Sequence, residues 1–311
     1  MCLTHDFWSL LVGGLSNGFL YALIALGYTL VYGVLQLINF AHSEVFMTGG
    51  FASLFVLEAV VGKGTPSGAE SVLFVVLGLV SAGVAGGVVA YFLERTAYRP
   101  LRRRGAPKLA YLISAIGASF FMFNIAGKEF GRDSVSIPAL YTETAGQPVF
   151  TVFGAKVRLY YIVTAVAAIA MMLFLDRLVA RTRLGQGIRA VAQDADTASL
   201  MGVDIDRVIS QTFVIGGLLG GAAGFLFALD SGVVYTMGFT PGLKAFTAAV
   251  LGGIGNIRGA MLGGLLLGVV ENLSVSCVNE TWIDVIAFGI LVMVLLFRPT
   301  GLLGERLGRS A

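Results

Sequence analysis

The sequence predicts an all-α polytopic membrane protein on three observations. Of its 311 residues, 57% are hydrophobic and only 13% charged, about half the charge of an ordinary soluble domain; mean hydropathy is +0.86. Apolar runs close to the ~20 residues a transmembrane helix needs recur from Leu10 to Phe297. Glycine occupies 42 positions and proline 7, a balance that suits helices packed through small residues.

The runs place spans at 10–35, 43–61, 71–93, 109–126, 159–179, 207–229, 241–255, 258–277 and 281–297. That is about eight to nine transmembrane helices, with 241–255 short and glycine-rich enough to be a re-entrant segment. The first span carries Gly14 and Gly18, the third Gly83 and Gly87, the sixth Gly216, Gly220 and Gly224, and the eighth Gly264 and Gly268. Such small-xxx-small spacing reads as helix packing. The second span opens on the polar stretch "INFAHSEVF", residues 38–46. The N-terminus "MCLTHDFWSL" lacks the basic region of a signal peptide, so the first run is expected to be retained and 1–311 to form one transmembrane domain.

Loop charge sets the expected orientation, because short loops rich in Lys and Arg stay in the cytoplasm. "ERTAYRPLRRRGAPK" carries Arg95, Arg99, Arg102, Arg103, Arg104 and Lys108. The segment after the fifth span carries Arg177, Arg181, Arg183 and Arg189, and the tail Arg298, Arg306 and Arg309. These segments are expected inside, which puts the C-terminus in the cytoplasm and the N-terminus outside. The loop from Gly127 to Arg158 mixes Lys128, Glu129, Arg132, Asp133 and Glu143, as an external loop can. Trp8 and Trp282 fall at outer ends, where interfacial aromatics belong.

Ionisable residues inside a membrane are costly and mark functional candidates. Here they are His42 and Glu44 at the start of the second span, Glu58 near its end and Glu271 late in the eighth; Lys244 and Asp284 are expected to snorkel to an interface. A metal site needs three or four ligands, yet the only other histidine is His5, predicted on the opposite face, and Cys2 and Cys277 show no ligand spacing. No serine stands in a G-x-S-x-G elbow. The nearest approach to a phosphate-binding loop, "VGKGT" at 61–65, has Leu57 at the first glycine position and Gly64 where Ser or Thr belongs. Neither cofactor nor metal is expected, and the chain cannot power transport by itself.

Three polar or irregular stretches remain. In the first, Asn39 or Ser43 is placed to cap the second helix with Glu44 in its first turn, while Asn39, His42 and Glu44 equally suit the lining of a water-filled path. The second, "FTPGLKAFTAAVLGGIGNIRGAMLGG" at 239–264, is interrupted by Gly252, Gly253, Gly255 and Gly259, with Asn256 and Arg258 at the break. It reads as a broken helix pair near a binding site or as a tight hairpin whose glycines serve the turn. The third, "RLGQGIRAVAQDADTASLMGVDIDR" at 183–207, reads as a short amphipathic helix: Ile188, Val191, Ala195, Ala198 and Gly202 share one face. Such a face suits a partner's groove or a lipid surface.

Across nearly the whole chain the sequence resembles the permease subunits of branched-chain amino-acid ABC importers, of the LivH type. The resemblance rests on "YALIALGYTLVYGVLQLINFAHSEVFMTGG", "ERTAYRPLR", "LISAIGASFF", "GRDSVSIPAL", "MGVDIDRVISQTFVIGGLLGGAAG", "GLKAFTAAVLGGIGNIRGAMLGGLLLGVVE" and "RPTGLLG", in that order. It implies a multi-pass subunit of the bacterial inner membrane that pairs with a sister permease, sits on two ATP-binding subunits that hydrolyse the ATP, and accepts substrate from a periplasmic binding protein. Membrane lipid surrounds it, and nucleic acid has no part. Permeases of this kind carry a cytoplasmic coupling segment, E-A-A-x-x-x-G; here Asp196, Thr197, Ala198 and Gly202 stand at its defined positions, within a segment at about 185–206 that also holds Arg189. The family usually reads "INFAHGE" where this chain has Ser43, and "GSIPGA" where it has Arg258.

The sequence-based reading is therefore an ABC importer permease without catalytic residues, working by alternating access, with Asn39, His42, Glu44 and Asn256 lining the path and Arg189, Asp196, Ala198 and Gly202 coupling to the ATPase. The alternatives are a passive channel for a small polar solute such as urea, which lacks the Asn-Pro-Ala repeats of aquaporin-type pores, and a membrane enzyme dependent on His42.

Overall fold

The computed structural model describes residues 7–61, 68–137, 149–276, 282–298 and 300–304. Cys2, His5, Glu143, Cys277, Arg306, Arg309 and residues 62–65 of "VGKGT" lie outside the described residues. The helices are α1 (Phe7–Leu35), α2 (His42–Val61), α3 (Gly68–Leu93), α4 (Arg99–Arg103), α5 (Lys108–Glu129), α6 (Leu159–Arg181), α7 (Arg183–Gln193), α8 (Ala195–Leu200), α9 (Ile205–Ser231), α10 (Phe239–Gly252), α11 (Ile257–Val275) and α12 (Ile283–Phe297). All nine apolar runs are helices, with ends that agree to within about three residues.

Among the described residues, seven helices are long and apolar enough to cross a membrane. With 14 and 15 residues, α10 and α12 extend about 21 and 22 Å at ~1.5 Å per residue, short of the ~30 Å hydrocarbon core. Between α5 and α6 lies a small antiparallel hairpin, β1 (Phe150–Val152) with β2 (Ala155–Val157), too short for an alternating pattern to announce it in the sequence.

The glycine pairs are the places where helix backbones meet. Gly14 and Gly18 of α1 lie against Val269 and Leu265 of α11, and Gly264 and Gly268 of α11 lie against Ala22 and Gly18 in return. Gly83 and Gly87 of α3 face Leu218 of α9, while Gly216 faces Gly27 of α1. Gly221 sits where α9 passes between two neighbours, against Ala82 and Gly86 of α3 on one side and Gly49 of α2 on the other. Without lipid-driven hydrophobic contrast, such close approach and its dispersion contacts hold the bundle together.

Basic residues collect at one end of the bundle, but part of that charge is internal. The helix after α3 loosens into a π-helical turn, Glu94–Tyr98, and the wholly buried Glu94 is ringed by Arg99 at 3.2 Å, Arg102 at 3.0 Å and the Ser210 hydroxyl, which donates to it at 2.5 Å. Arg102 and Arg103 also reach Asp206 in the first turn of α9, at 2.5 and 2.8 Å. A carboxylate stripped of water needs such compensation. Arg99, Arg102 and Arg103 thus clamp the π turn and α4 to α9.

Lys244 departs from the snorkelling expectation. It is buried, pairs with the equally buried Glu271 of α11 and reaches Asp284 of α12 at 2.9 Å. The short α10 is thereby fastened to both helices that follow it, because an ammonium without a route to water must find its counter-charge inside.

The segment expected as one amphipathic helix is two. Asp194 adopts an extended conformation and caps α8, its carboxylate accepting the N–H groups of Asp196 and Thr197 and the Thr197 hydroxyl at 2.6 Å. That hydroxyl first, and the two amides after it, hold the Asp194 carboxyl below the usual range. The cap is therefore fully formed at neutral pH and is lost as the pH falls through that lowered value. The small-residue face turns inward: Ile188, Val191 and Ala198 join Val31 and Val34 of α1, Tyr98 of the π turn and Phe213 of α9 in a buried cluster.

Candidate translocation site

The site begins where two helices start inside the bundle. After α1 the chain turns at Gln36, whose φ of 53° is left-handed, and returns through residues 37–41 before α2 begins at His42. His42 lies against Gly27 and Gly220, and Gly220 is near the midpoint of α9. Glu44, two residues on, meets Ser119 near the midpoint of α5. The first turn of α2 is thus at mid-depth. From the other direction, α9 ends at Gly232 and a run of turns leads to α10, where Gly238 and Gly242 press on Ser43. The starts of α2 and α10 therefore converge.

Between them and α5 lies a cavity of about 500 Å³, within the ~300–1,000 Å³ of small-molecule sites. Its polar wall is Tyr28, Ser43, Glu44, Ser119, Thr236 and Thr240; Phe40, Ile116, Phe120, Phe123, Phe239 and Leu243 supply the larger apolar wall. Glu44 Oε1 accepts from the Ser119 hydroxyl at 3.1 Å and lies 3.3 Å from the Ser43 hydroxyl, which also lies 2.8 Å from the Phe40 carbonyl. Glu44 is buried and its Oε2 has no hydrogen-bond partner.

Of the four residues expected along the path, Glu44 lines this cavity. His42 stands one layer behind, its ring edge-on to Tyr28 at 4.9 Å and its Nε2 without a partner. Asn39 is buried and its Oδ1 accepts from the Tyr98 hydroxyl at 2.8 Å, so its side chain ties the returning segment to the π turn instead of capping α2. Asn256 is far from the cavity: it caps α11, accepting the Gly259 N–H at 3.1 Å, and donates to the Leu303 carbonyl at 2.8 Å. The glycine cluster around it is a tight α10–α11 hairpin with Gly253 and Gly255 at positive φ. The chain break that shapes the cavity lies upstream, in residues 232–238. Arg258 pairs with Asp176 of α6 at 3.1 Å, outside the wall.

Sequence reasoning passed over Tyr28, Ser119, Thr236, Phe239 and Thr240. A signal was present in "YTMGFTPG", residues 235–242, where Gly, Thr and Pro crowd ahead of an apolar run as they do at a helix start.

At the basic end, Arg189 donates to the Val179 carbonyl and holds α7 against the last turn of α6. Asp196 is exposed in the first turn of α8, Ala198 is buried against the bundle, and Gly202 takes the positive φ of 85° that lets the chain turn into α9. The outward tip between them is Leu200 and Met201, 86% and 81% exposed, an apolar knob at the end of α8.

A multi-pass helical bundle with a mid-depth cavity formed at two interrupted helices is the architecture of a membrane transport protein. The chain belongs to the family described as branched-chain amino acid transport system / permease component, whose model matches residues 10–296. It is 42% identical over 296 residues to the high-affinity branched-chain amino acid transport system permease protein LivH of Escherichia coli K12, covering 94% of each chain. It is likewise 42% identical over 300 residues to the corresponding permease protein BraD of Pseudomonas aeruginosa, covering 95% of each, and 26% identical over 307 residues to the probable permease LivH of Methanocaldococcus jannaschii, covering 95% of this chain and 92% of that one.

Proposed function

We propose that this chain is a permease subunit of an ATP-driven importer that moves branched-chain or related amino acids into the cytoplasm by alternating access with a sister permease. The observation that carries this reading is 42% identity across 94% of the chain to a permease named for that transport. The same relatives support an importer permease and not a passive urea channel. ATP hydrolysis falls to two separate ATP-binding subunits, and substrate comes from a periplasmic binding protein. The basic end faces the cytoplasm, so the N-terminus is periplasmic and the C-terminus cytoplasmic.

In this reading residues 185–206 dock on the ATPase, with Leu200 and Met201 entering its surface and Asp196, Ala198 and Gly202 shaping the tip. Movement of α7 and α8 reaches the cavity through the buried cluster of Ile188, Val191, Ala198 and Tyr98, and then through the Tyr98–Asn39 hydrogen bond to the segment that carries Ser43 and Glu44. His42 supports the path from behind, and Asn256 holds the start of α11 away from it. Expressed with its partner subunits in cells stripped of their own branched-chain importers, the protein should restore uptake of labelled leucine, isoleucine and valine. Gly202→Asp, made at a positive-φ turn, should abolish that uptake at normal membrane levels. Restored urea flux without amino-acid uptake would overturn the reading, and normal uptake by Gly202→Asp would remove its coupling part.

A further inference from the structure

We infer that the mid-depth cavity is polarised to bind a zwitterion: Glu44 takes the ammonium of an α-amino acid, the starts of α2 and α10 take its carboxylate, and the phenyl wall takes its aliphatic side chain. This deepens the reading above and rests on it.

The carboxylate of Glu44 is the only charged side chain in the cavity wall among the described residues. Two hydroxyls engage its Oε1, and its Oε2, buried and facing Gly238, engages nothing. A carboxylate kept from water without a cation costs several kcal/mol, so a cation from a ligand supplies what the fold leaves out. At one edge of the same cavity lie the first turns of two helices. The α10 start lacks any side-chain cap; in its first turn the Phe239 N–H donates to the Thr236 carbonyl and Pro241 has no N–H to contribute, which leaves the Thr240 N–H open. At α2, the His42 and Glu44 N–H groups donate to the Asn39 and Ala41 carbonyls and the Asn39 side chain is bonded to Tyr98, which leaves the Ser43 N–H open. Two helix N-termini so placed attract an anion. A carboxylate and the open amides beside it, at one edge of the cavity, are complementary to an ammonium and a carboxylate held on one carbon. Phe40, Phe120, Phe123, Phe239, Ile116 and Leu243 fill the remaining wall, where a branched aliphatic group loses apolar surface to water.

The proposal distinguishes leucine from molecules of its shape that lack one charge. In the assembled importer, on a background without native cysteines, Thr236→Cys places a thiol in the wall, and its alkylation by a maleimide reports occupancy. Leucine should protect this thiol at a concentration at least tenfold below that needed by 4-methylpentanoate, which lacks the ammonium, or 3-methylbutylamine, which lacks the carboxylate. Adding Glu44→Gln should erase leucine's advantage over 4-methylpentanoate and slow leucine uptake at least tenfold; Glu44→Asp should retain part of both. If either analogue protects as well as leucine in the importer with Glu44 intact, the inference is overturned, and that comparison decides the matter even where Glu44→Gln does not assemble. Uptake of leucine by Glu44→Gln within twofold of the parent would also overturn it. An importer that takes up leucine while leucine leaves the thiol unprotected overturns this inference alone, whereas one that takes up no branched-chain amino acid overturns the transport reading and this inference with it.

Discussion

Gly221→Val is expected to abolish accumulation of the folded protein in the membrane. The Cα of Gly221 is in backbone contact with α2 at Gly49, and the Cβ that valine adds would meet the Ala82 carbonyl and the Gly86 backbone of α3. No rotamer change relieves a clash between backbones on opposite sides of one residue, so α9 would have to separate from α2 or α3. Overpacking of a core costs about 1–3 kcal/mol where side chains can give way; here the loss should exceed the upper figure. Quantifying the variant in membrane extracts and its thermal unfolding after purification checks this. Gly117→Ala, in α5 where nothing lies within 4 Å of the added carbon, should accumulate as the parent does.

Lys244→Met should destabilise the protein by about 3–5 kcal/mol, the cost of removing one partner from a buried ion pair. Methionine preserves most of the stem's packing, so the penalty comes from Glu271, left buried without its cation, while Asp284, 55% exposed at its side chain, keeps access to water. The double variant Lys244→Met, Glu271→Leu should recover most of the loss, since an apolar pair of similar size removes the uncompensated charge. Denaturant unfolding of the three purified proteins forms the cycle. A Lys244→Met protein as stable as the parent would show that the ion pair contributes nothing to holding α10.

These two sites also mark what the sequence makes visible and what it leaves hidden. The spans were legible because each is a long apolar run, and the packing contacts because Gly14 with Gly18 and Gly264 with Gly268 recur four residues apart and so share a helix face. The burial of Lys244 and Glu94 was hidden. A charge at the end of an apolar run, or within a loop dense in arginine, reads as solvated, and only the three-dimensional placement of Glu271, Asp284 and Ser210 shows otherwise. The division of α7 from α8 was readable in principle, since Asp194 stands ahead of Asp196 and Thr197 as a capping residue does, but the apolar period runs through it. Of the cavity, Glu44 was visible as an intramembrane carboxylate. Its companions Ser119 and Thr240 were not, because a hydroxyl in an apolar helix more often bonds its own backbone, and because these residues come from separate parts of the chain that meet only when α2 and α10 both begin at mid-depth. Asn256 reads as a lining residue because it is polar, and in the structure that polarity serves a helix cap.

As an importer permease, this chain should form a substrate path that opens only when ATP is used on other subunits. The most direct measurement reconstitutes the purified permease with its sister and ATP-binding subunits in liposomes and follows entry of labelled leucine in the presence of the binding protein. Accumulation against a gradient should require ATP and the binding protein, and the liposomes should stay tight to leucine when either is omitted. Leucine entry that proceeds to equilibrium without ATP would contradict it.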